Sequence, residues 1–114
     1  MINIYDDINR LEATFRNTNE FKLLQETVEA VRGDEEAKNL FTSFRDIQVK
    51  LQQKQMAGEE LLEDELAYAQ KAAQLAQQNV KILAMLEAEM GLSRVIEEVN
   101  RILTKPVQAL YDGL

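Results

Sequence analysis

The sequence predicts an all-α fold, a long antiparallel helical hairpin with shorter N- and C-terminal helices packed on it, in a single domain spanning residues 1–114. Three observations carry that expectation. Leu62, Leu66, Ala69, Ala73, Ala76, Val80 and Leu83 recur at spacings of four and three, which is a heptad seam on one helix face. The segment before it carries bulk where the seam carries alanine. Helix formers dominate throughout, with only one proline and four glycines in 114 residues.

Counting outward from a turn centred on Gly58 sets Gln55 opposite Leu62, Leu51 opposite Leu66 and Gln48 opposite Ala69. It also sets Phe44 opposite Ala73, Phe41 opposite Ala76 and Ala37 opposite Val80. Alanine supplies little apolar area but admits a close neighbour, so large side chains meet small ones at the two phenylalanines.

The elements follow in order. Ile4, Ile8, Leu11 and Phe15 predict a first helix from near Asn3 to Arg16, broken by Asn17-Thr18-Asn19. Asn17 with Glu20 has capping-box spacing and opens a second helix striped by Phe21, Leu24, Val28 and Val31, which Gly33 closes as a left-handed cap. Asp34 is a good N-cap for a third helix, and Glu35 and Glu36 suit its electropositive end. This helix carries Ala37, Leu40, Phe41, Phe44, Ile47 and Leu51 to about Ala57.

A fourth helix then starts with Glu59, Glu60, Glu63 and Asp64 and runs to about Met90, near 45 Å at the helical rise per residue. It overshoots the third, so Leu83 and Leu86 need other cover. Gly91 marks a break, and Ser93 caps a fifth helix with Val95, Ile96, Val99, Ile102 and Leu103. Pro106 stops or kinks it and opens a short terminal turn to Tyr111.

The long helix carries a second ladder, Leu61, Tyr68, Ala72, Leu75, Asn79, Ile82 and Leu86, rotated from the first. A helix with two apolar stripes needs two partners. Either the short helices of the same chain cover it, or it is a self-association surface, most economically a two-fold dimer. Large exposed apolar patches are uncommon on monomers, which favours the oligomer. Leu61, Tyr68, Ala72, Leu75, Ile82 and Leu86 are therefore the candidate protein-interaction residues.

Composition excludes much chemistry. The chain has no cysteine and no histidine, which removes disulfides, thiolate nucleophiles, thiolate-held clusters and the usual zinc sites. A di-iron bundle would need Glu-x-x-His pairs. Thirteen basic against twenty acidic residues give a net charge of −7, which disfavours an extended phosphate-binding surface. The start lacks the basic and apolar regions of a secretory signal, and no uninterrupted apolar window spans a membrane, so a cytoplasmic protein is expected.

Each candidate for chemistry has a structural reading that outweighs it. Glu59, Glu60, Glu63, Asp64 and Glu65 place carboxylates four apart, yet this is also how a solvated, dipole-favoured helix start looks. Ser43, Ser93, Thr18 and Thr42 have no base beside them and read as caps or back-bonded hydroxyls. Gly33, Gly58, Gly91 and Gly113 stand alone, without a phosphate loop.

Gln48, Gln52 and Gln55, with Gln70, Gln74, Gln77 and Gln78, read as hairpin register markers in preference to a polar docking face. Arg94, Arg101 and Lys105 share a face, as do Lys50 and Lys54, but Glu97 and Glu98 favour local pairing over phosphate binding. No catalytic, cofactor or metal site is expected.

Asn3-Ile4-Tyr5-Asp6, Leu11, the Phe21 helix, Phe44, Gln48 through Gln55 to Gly58, Asn79, Glu89 and Asn100-Arg101-Ile102 together resemble the YlbF/YmcA family of Firmicutes, in its YheA-like branch. The resemblance covers nearly the whole chain and rests on helix-packing positions, their order and the chain length. It implies a small, all-helical, cytoplasmic, self-associating protein. YlbF and YmcA act with YaaT in a complex that influences competence, biofilm formation and sporulation and modulates the endoribonuclease RNase Y. Members of that complex hold iron–sulfur clusters on cysteines, which this chain lacks, so cluster binding does not carry over.

The expected function is a non-enzymatic helical interaction protein that forms a homo-oligomer, with protein partners in RNA processing or developmental regulation. The alternative is a direct RNA-binding or small-ligand-sensing module, and an acidic metal enzyme stands behind both.

Overall fold

The computed structural model describes residues 2–114, and they are helical almost throughout, with no strand among the described residues. Five helices follow in order: α1 (Ile4–Arg16), α2 (Asn19–Arg32), α3 (Glu35–Met56), α4 (Glu63–Gln78) and α5 (Val80–Tyr111). The chain divides into two compact units. One is Met1–Gln25 with Glu87–Leu114, and the other is Glu26–Leu86.

The first three helices lie where the apolar spacing predicts them, with caps that differ in detail. Asn3 accepts from the Tyr5 N–H at the start of α1. Asn17 caps the C-terminus of α1, and its amide donates to the Ala13 carbonyl at 2.8 Å. The residue that opens α2 is therefore Thr18. Its hydroxyl accepts from the Phe21 N–H at 3.2 Å and donates to the Phe15 carbonyl at 2.7 Å, joining the two helices through one side chain. The rings of Phe15 and Phe21 meet edge-on across this elbow, with centroids 5.7 Å apart.

Gly33 is not the left-handed cap expected of it, because positive φ is confined to Gly58 and Gly113 among the described residues. The chain passes instead through Asp34, which is extended and accepts from the Ala37 N–H at 3.1 Å, as an N-cap should.

α3 and α4 pack alongside one another as the predicted antiparallel hairpin. Gly58, at φ 73°, does turn the chain. Its N–H donates to the Gln55 carbonyl at 3.2 Å, and the Glu59 N–H donates to the Lys54 carbonyl at 2.9 Å, the paired bonds of a Schellman ending. Residues 59–62 then remain outside any helix, so Glu59 and Glu60 are loop residues and α4 begins only at Glu63.

The longer connection moves the register. Lys54 meets Glu65, whereas a turn centred on Gly58 would set it against Glu63. Consequently Ile47 is buried on the face toward α4, while Gln48 is exposed.

The 45 Å rod is not continuous. Asn79 leaves the helix with an extended backbone (φ −84°, ψ 120°), and its side-chain oxygen accepts from the Lys81 and Ile82 N–H groups at 3.0 and 3.2 Å. That is an N-cap, and it opens α5. The Lys81 ammonium reaches back to the Asp34 carboxylate at 2.9 Å, so the starts of α3 and α5 are tied.

The expected break at Gly91 is absent, as are the Ser93 cap and the separate turn after Pro106, because α5 runs through all three. A mid-helix glycine costs about 1 kcal/mol relative to alanine, and burial of Ala88 and Leu92 on either side compensates. Pro106 removes one backbone donor, but every side chain from 101 onward is exposed, so its ring disturbs no packing within the chain. The Thr104 hydroxyl donates to the Asn100 carbonyl at 2.8 Å just ahead of it.

The break position is open to a direct check in opposite directions. Gly91→Ala adds a Cβ that meets nothing within 4 Å, and should stabilise the fold by about 0.5–1 kcal/mol. Asn79→Ala removes the cap and should destabilise it by about 1 kcal/mol. Urea denaturation of both variants reads the difference.

Candidate protein interaction surface

The unit Glu26–Leu86 holds the residues that the sequence singles out. α4 presents Glu65, Ala72 and Ala76 as its buried positions, and α3 presents Ala37 and Ile47. Three of these five are alanine, so the helices approach closely and bury little. The charged member of this contact is Glu65. Its Oε1 accepts from the Lys54 ammonium and from the Leu62 N–H (3.3 Å), the second bond closing the first turn of α4 in the manner of a capping box. Its Oε2 is buried without a hydrogen bond, and the Lys50 ammonium stands 3.6 Å away.

The Lys54 hydrogen bond holds the Glu65 carboxyl below the usual carboxylate range, and the Leu62 N–H and the charges of Lys54 and Lys50 act in the same direction against burial. The Asp34 carboxyl is lowered likewise, first by its bond from Lys81 and then by the Ala37 N–H.

Two adjoining clefts open between α3 and α4. One, of about 390 Å³, is lined by Asp46, Asp64 and Glu65 with Lys50, Ser43, Ile47 and Tyr68. The other, of about 230 Å³, is lined by Leu40, Ala72, Leu75 and Lys71 and shares Ser43 and Tyr68. Together they form a groove that is apolar at the Leu40 and Leu75 end and acidic at the Asp46 and Asp64 end. Such a groove suits a helix or strand that presents an apolar side chain followed by a basic one.

The six candidate interaction residues do not form one ladder. Because the chain leaves the helix at Asn79, Leu61 precedes α4, Tyr68, Ala72 and Leu75 lie on it, and Ile82 and Leu86 belong to α5. Ala72 and Ile82 are buried within the chain, and Leu61 and Leu86 are half-buried. Tyr68 and Leu75 are 53% and 41% exposed, and with the buried Ala72 they line the groove.

The glutamines expected to mark register face outward: Gln48, Gln52 and Gln55 are exposed, and Gln70, Gln74 and Gln77 line a separate shallow surface with Lys71. Sequence reasoning also missed the Lys54–Glu65 link. The spacing of Glu65 three residues after Leu62, at the N3 position of a helix, was the signal available for it.

Among the described residues, no three acidic side chains are grouped so that they could hold a metal ion. On α5, Arg101 pairs with Glu98, three residues before it, and the Glu98 carboxyl is lowered by that bond. No helix among the described residues is long and apolar enough to cross a membrane.

A family model described as "Control of competence regulator ComK, YlbF/YmcA" matches residues 4–108. The chain is 70% identical over 114 residues to a UPF0342 protein of Lysinibacillus sphaericus, covering all of this chain and 99% of that one. It is 46% identical over 113 residues to the UPF0342 protein YheA of Bacillus subtilis, covering 99% and 97% of the two. Among solved structures, a protein of unknown function (DUF964) from Bacillus stearothermophilus superposes with a TM-score of 0.87 at 39% identity, over 97% of each chain. That of yheA from Bacillus subtilis superposes with a TM-score of 0.76 at 35% identity, over 96% of this chain and all of the other.

The lowered Glu65 carboxyl sets an acid dependence. A carboxylate depressed in the folded state contributes stability above its unfolded value, near 4.5, and loses it as pH falls through the lower folded value. Denaturant midpoints should therefore fall as the pH drops below about 4.5. Glu65→Gln should flatten that dependence in part, leaving the share due to Asp34 and Glu98. An unchanged slope in Glu65→Gln would contradict the assignment.

Proposed function

We propose, from the premise that this chain belongs to the YlbF/YmcA family in its YheA-like branch, that it is a non-enzymatic helical protein that acts by binding other proteins, including copies of itself. The family description ties it to control of a competence regulator. Within that, the chain acts as an adaptor in developmental regulation or RNA processing. The observation that carries the reading is the groove between α3 and α4, where Tyr68 and Leu75 stand exposed beside Leu40 and lead to Asp46 and Asp64.

A partner segment gains by burying apolar surface at one end, and at the other it meets carboxylates that reward a lysine or arginine. No imidazole or thiol exists anywhere in the chain to serve as acid, base or nucleophile. Direct RNA binding fits less well. The net charge is −7, and Arg101, at the centre of the one basic face on α5, is already engaged by Glu98.

Leu75→Glu puts a charge in the apolar end of the groove without touching the buried face of α4. It should leave the helical circular dichroism unchanged and weaken capture of the native partner at least tenfold, a loss of roughly 1.4 kcal/mol. The comparison is affinity capture from the native host with wild type and variant, followed by mass spectrometry. An identical partner set at undiminished yield would remove the groove from the account. A salt-dependent shift of homopolymer RNA, abolished by Arg94→Ala with Lys105→Ala, would replace the reading with RNA binding.

A further inference from the structure

The acidic end of the groove between α3 and α4 contains a buried oxygen that the chain itself does not satisfy. Glu65 is only 8% exposed, lines the 390 Å³ cleft, and keeps its Oε2 without a hydrogen bond. The nearest cation, the Lys50 ammonium, stands 3.6 Å away on a side chain that is 60% exposed, farther than a charge-assisted hydrogen bond reaches. A buried acceptor in that state gains from any donor brought to it.

Charge at the cleft is unbalanced in the same sense. Asp46 and Asp64 line it, and neither enters an ion pair or a side-chain hydrogen bond with the chain. Asp46 lies four residues before Lys50, the spacing of a helical ion pair, yet Lys50 turns to Glu65 instead. The Lys54 ammonium is engaged on the other oxygen of Glu65. Three carboxylates therefore have two ammonium groups between them, and the site is short of one positive charge.

The cation that suits it is planar and carries several donors. Asp46 stands on the α3 wall and Asp64 and Glu65 on the α4 wall, so the acceptors are spread around the cleft. A guanidinium presents five donors in a rigid fork and is more weakly hydrated than an ammonium, so it loses less on entering a half-covered cleft. The exposed ring of Tyr68 lines the same cleft, and guanidinium groups stack on aromatic faces. Tyr68 and Ser43 also line the apolar cleft beside Leu40 and Leu75. The middles of the two clefts lie about five residues apart along α3 and α4, roughly 8 Å at the helical rise per residue. On one face of a partner helix, side chains four to seven positions apart span about that distance.

We infer that the cleft beside Glu65 receives an arginine side chain of the partner protein, held roughly 8 Å from an apolar anchor that sits beside Leu75. The guanidinium takes the place of the Lys50 ammonium at Glu65 and reaches Asp64, and Lys50 passes to Asp46 on its own helix. Each carboxylate then has a cation. This rests on the reading of the groove as a protein-binding site, and it adds the residue that the partner must carry and its spacing from the anchor.

Amide resonances of the isotope-labelled full chain, followed during titration with synthetic peptides, test it. The probes are alanine- and glutamine-based helical peptides with one leucine and one arginine, either four or seven positions apart, and matched peptides with the neutral isostere citrulline for arginine. At least one arginine peptide should bind and shift the signals of Asp64 and Tyr68, and its citrulline match should bind about fivefold more weakly or worse. Asp46→Asn with Asp64→Asn should cost the arginine peptide a similar factor. Glu35→Gln with Glu36→Gln removes the same charge from the far end of α3 and should leave its affinity unchanged. Lys50→Met removes the competing ammonium, and should tighten the arginine peptide about threefold without affecting the citrulline one.

Arginine and citrulline peptides that bind equally, with both weakened by Leu75→Glu, overturn the inference and leave the groove as a docking site. An equal loss in the two double variants reduces the effect to net charge and overturns it as well. So does the failure of every peptide to bind, and groove signals that then move with chain concentration alone would give the groove to a second copy.

Discussion

Alanine at the helix contacts is the constraint from which the rest of this structure follows. Ala37, Ala72, Ala76 and Ala88 make up four of the nine buried hydrophobic residues, and Ile82 is the one large side chain that is wholly enclosed among the described residues. Small residues let helices approach closely, which favours dispersion and a defined register. They also remove little apolar area from water, so the hydrophobic contribution of each contact is small. A chain built this way keeps many of its larger apolar side chains outside its own core.

Polar links do the positioning that a larger core would otherwise do. Asp34 caps the start of α3 and holds Lys81 at the start of α5. At the other end of α3, Lys54 and Lys50 hold Glu65 at the start of α4. Both links tie a helix start to its neighbour, where a carboxylate also faces the electropositive end of a helix. A buried charge pair is a weak source of net stability, because desolvation opposes the attraction. Its effect here is on register, since sliding α4 along α3 by one residue would leave the Glu65 carboxylate buried without the Lys54 ammonium.

The helices and their order were legible in the sequence because apolar spacing is a strong signal over a dozen residues or more. α1, α2 and α3 end within a residue or so of where that spacing and the polar caps put them. The errors fell on single residues with two readings. Gly91 and Pro106 look like breakers, yet packing around Ala88 and Leu92 carries the helix past the first, and an unburied tail tolerates the second. Asn79 looks like a polar member of an apolar ladder and is the real interruption, because its side chain satisfies the free N–H groups that begin α5. The candidate surface was less legible for the same reason. With the rod broken at Asn79, Ile82 turns into the core, and Tyr68 and Leu75 are left exposed beside a groove whose acidic end was invisible until α3 was in register.

We propose that this chain buries further apolar surface by associating with copies of itself. Thermal unfolding followed at several protein concentrations tests it most directly, since a fold that includes a subunit contact is stabilised by mass action. The account predicts a Tm that rises steadily with chain concentration. A Tm that stays the same across the range would mean that the single chain is already complete, and would contradict it.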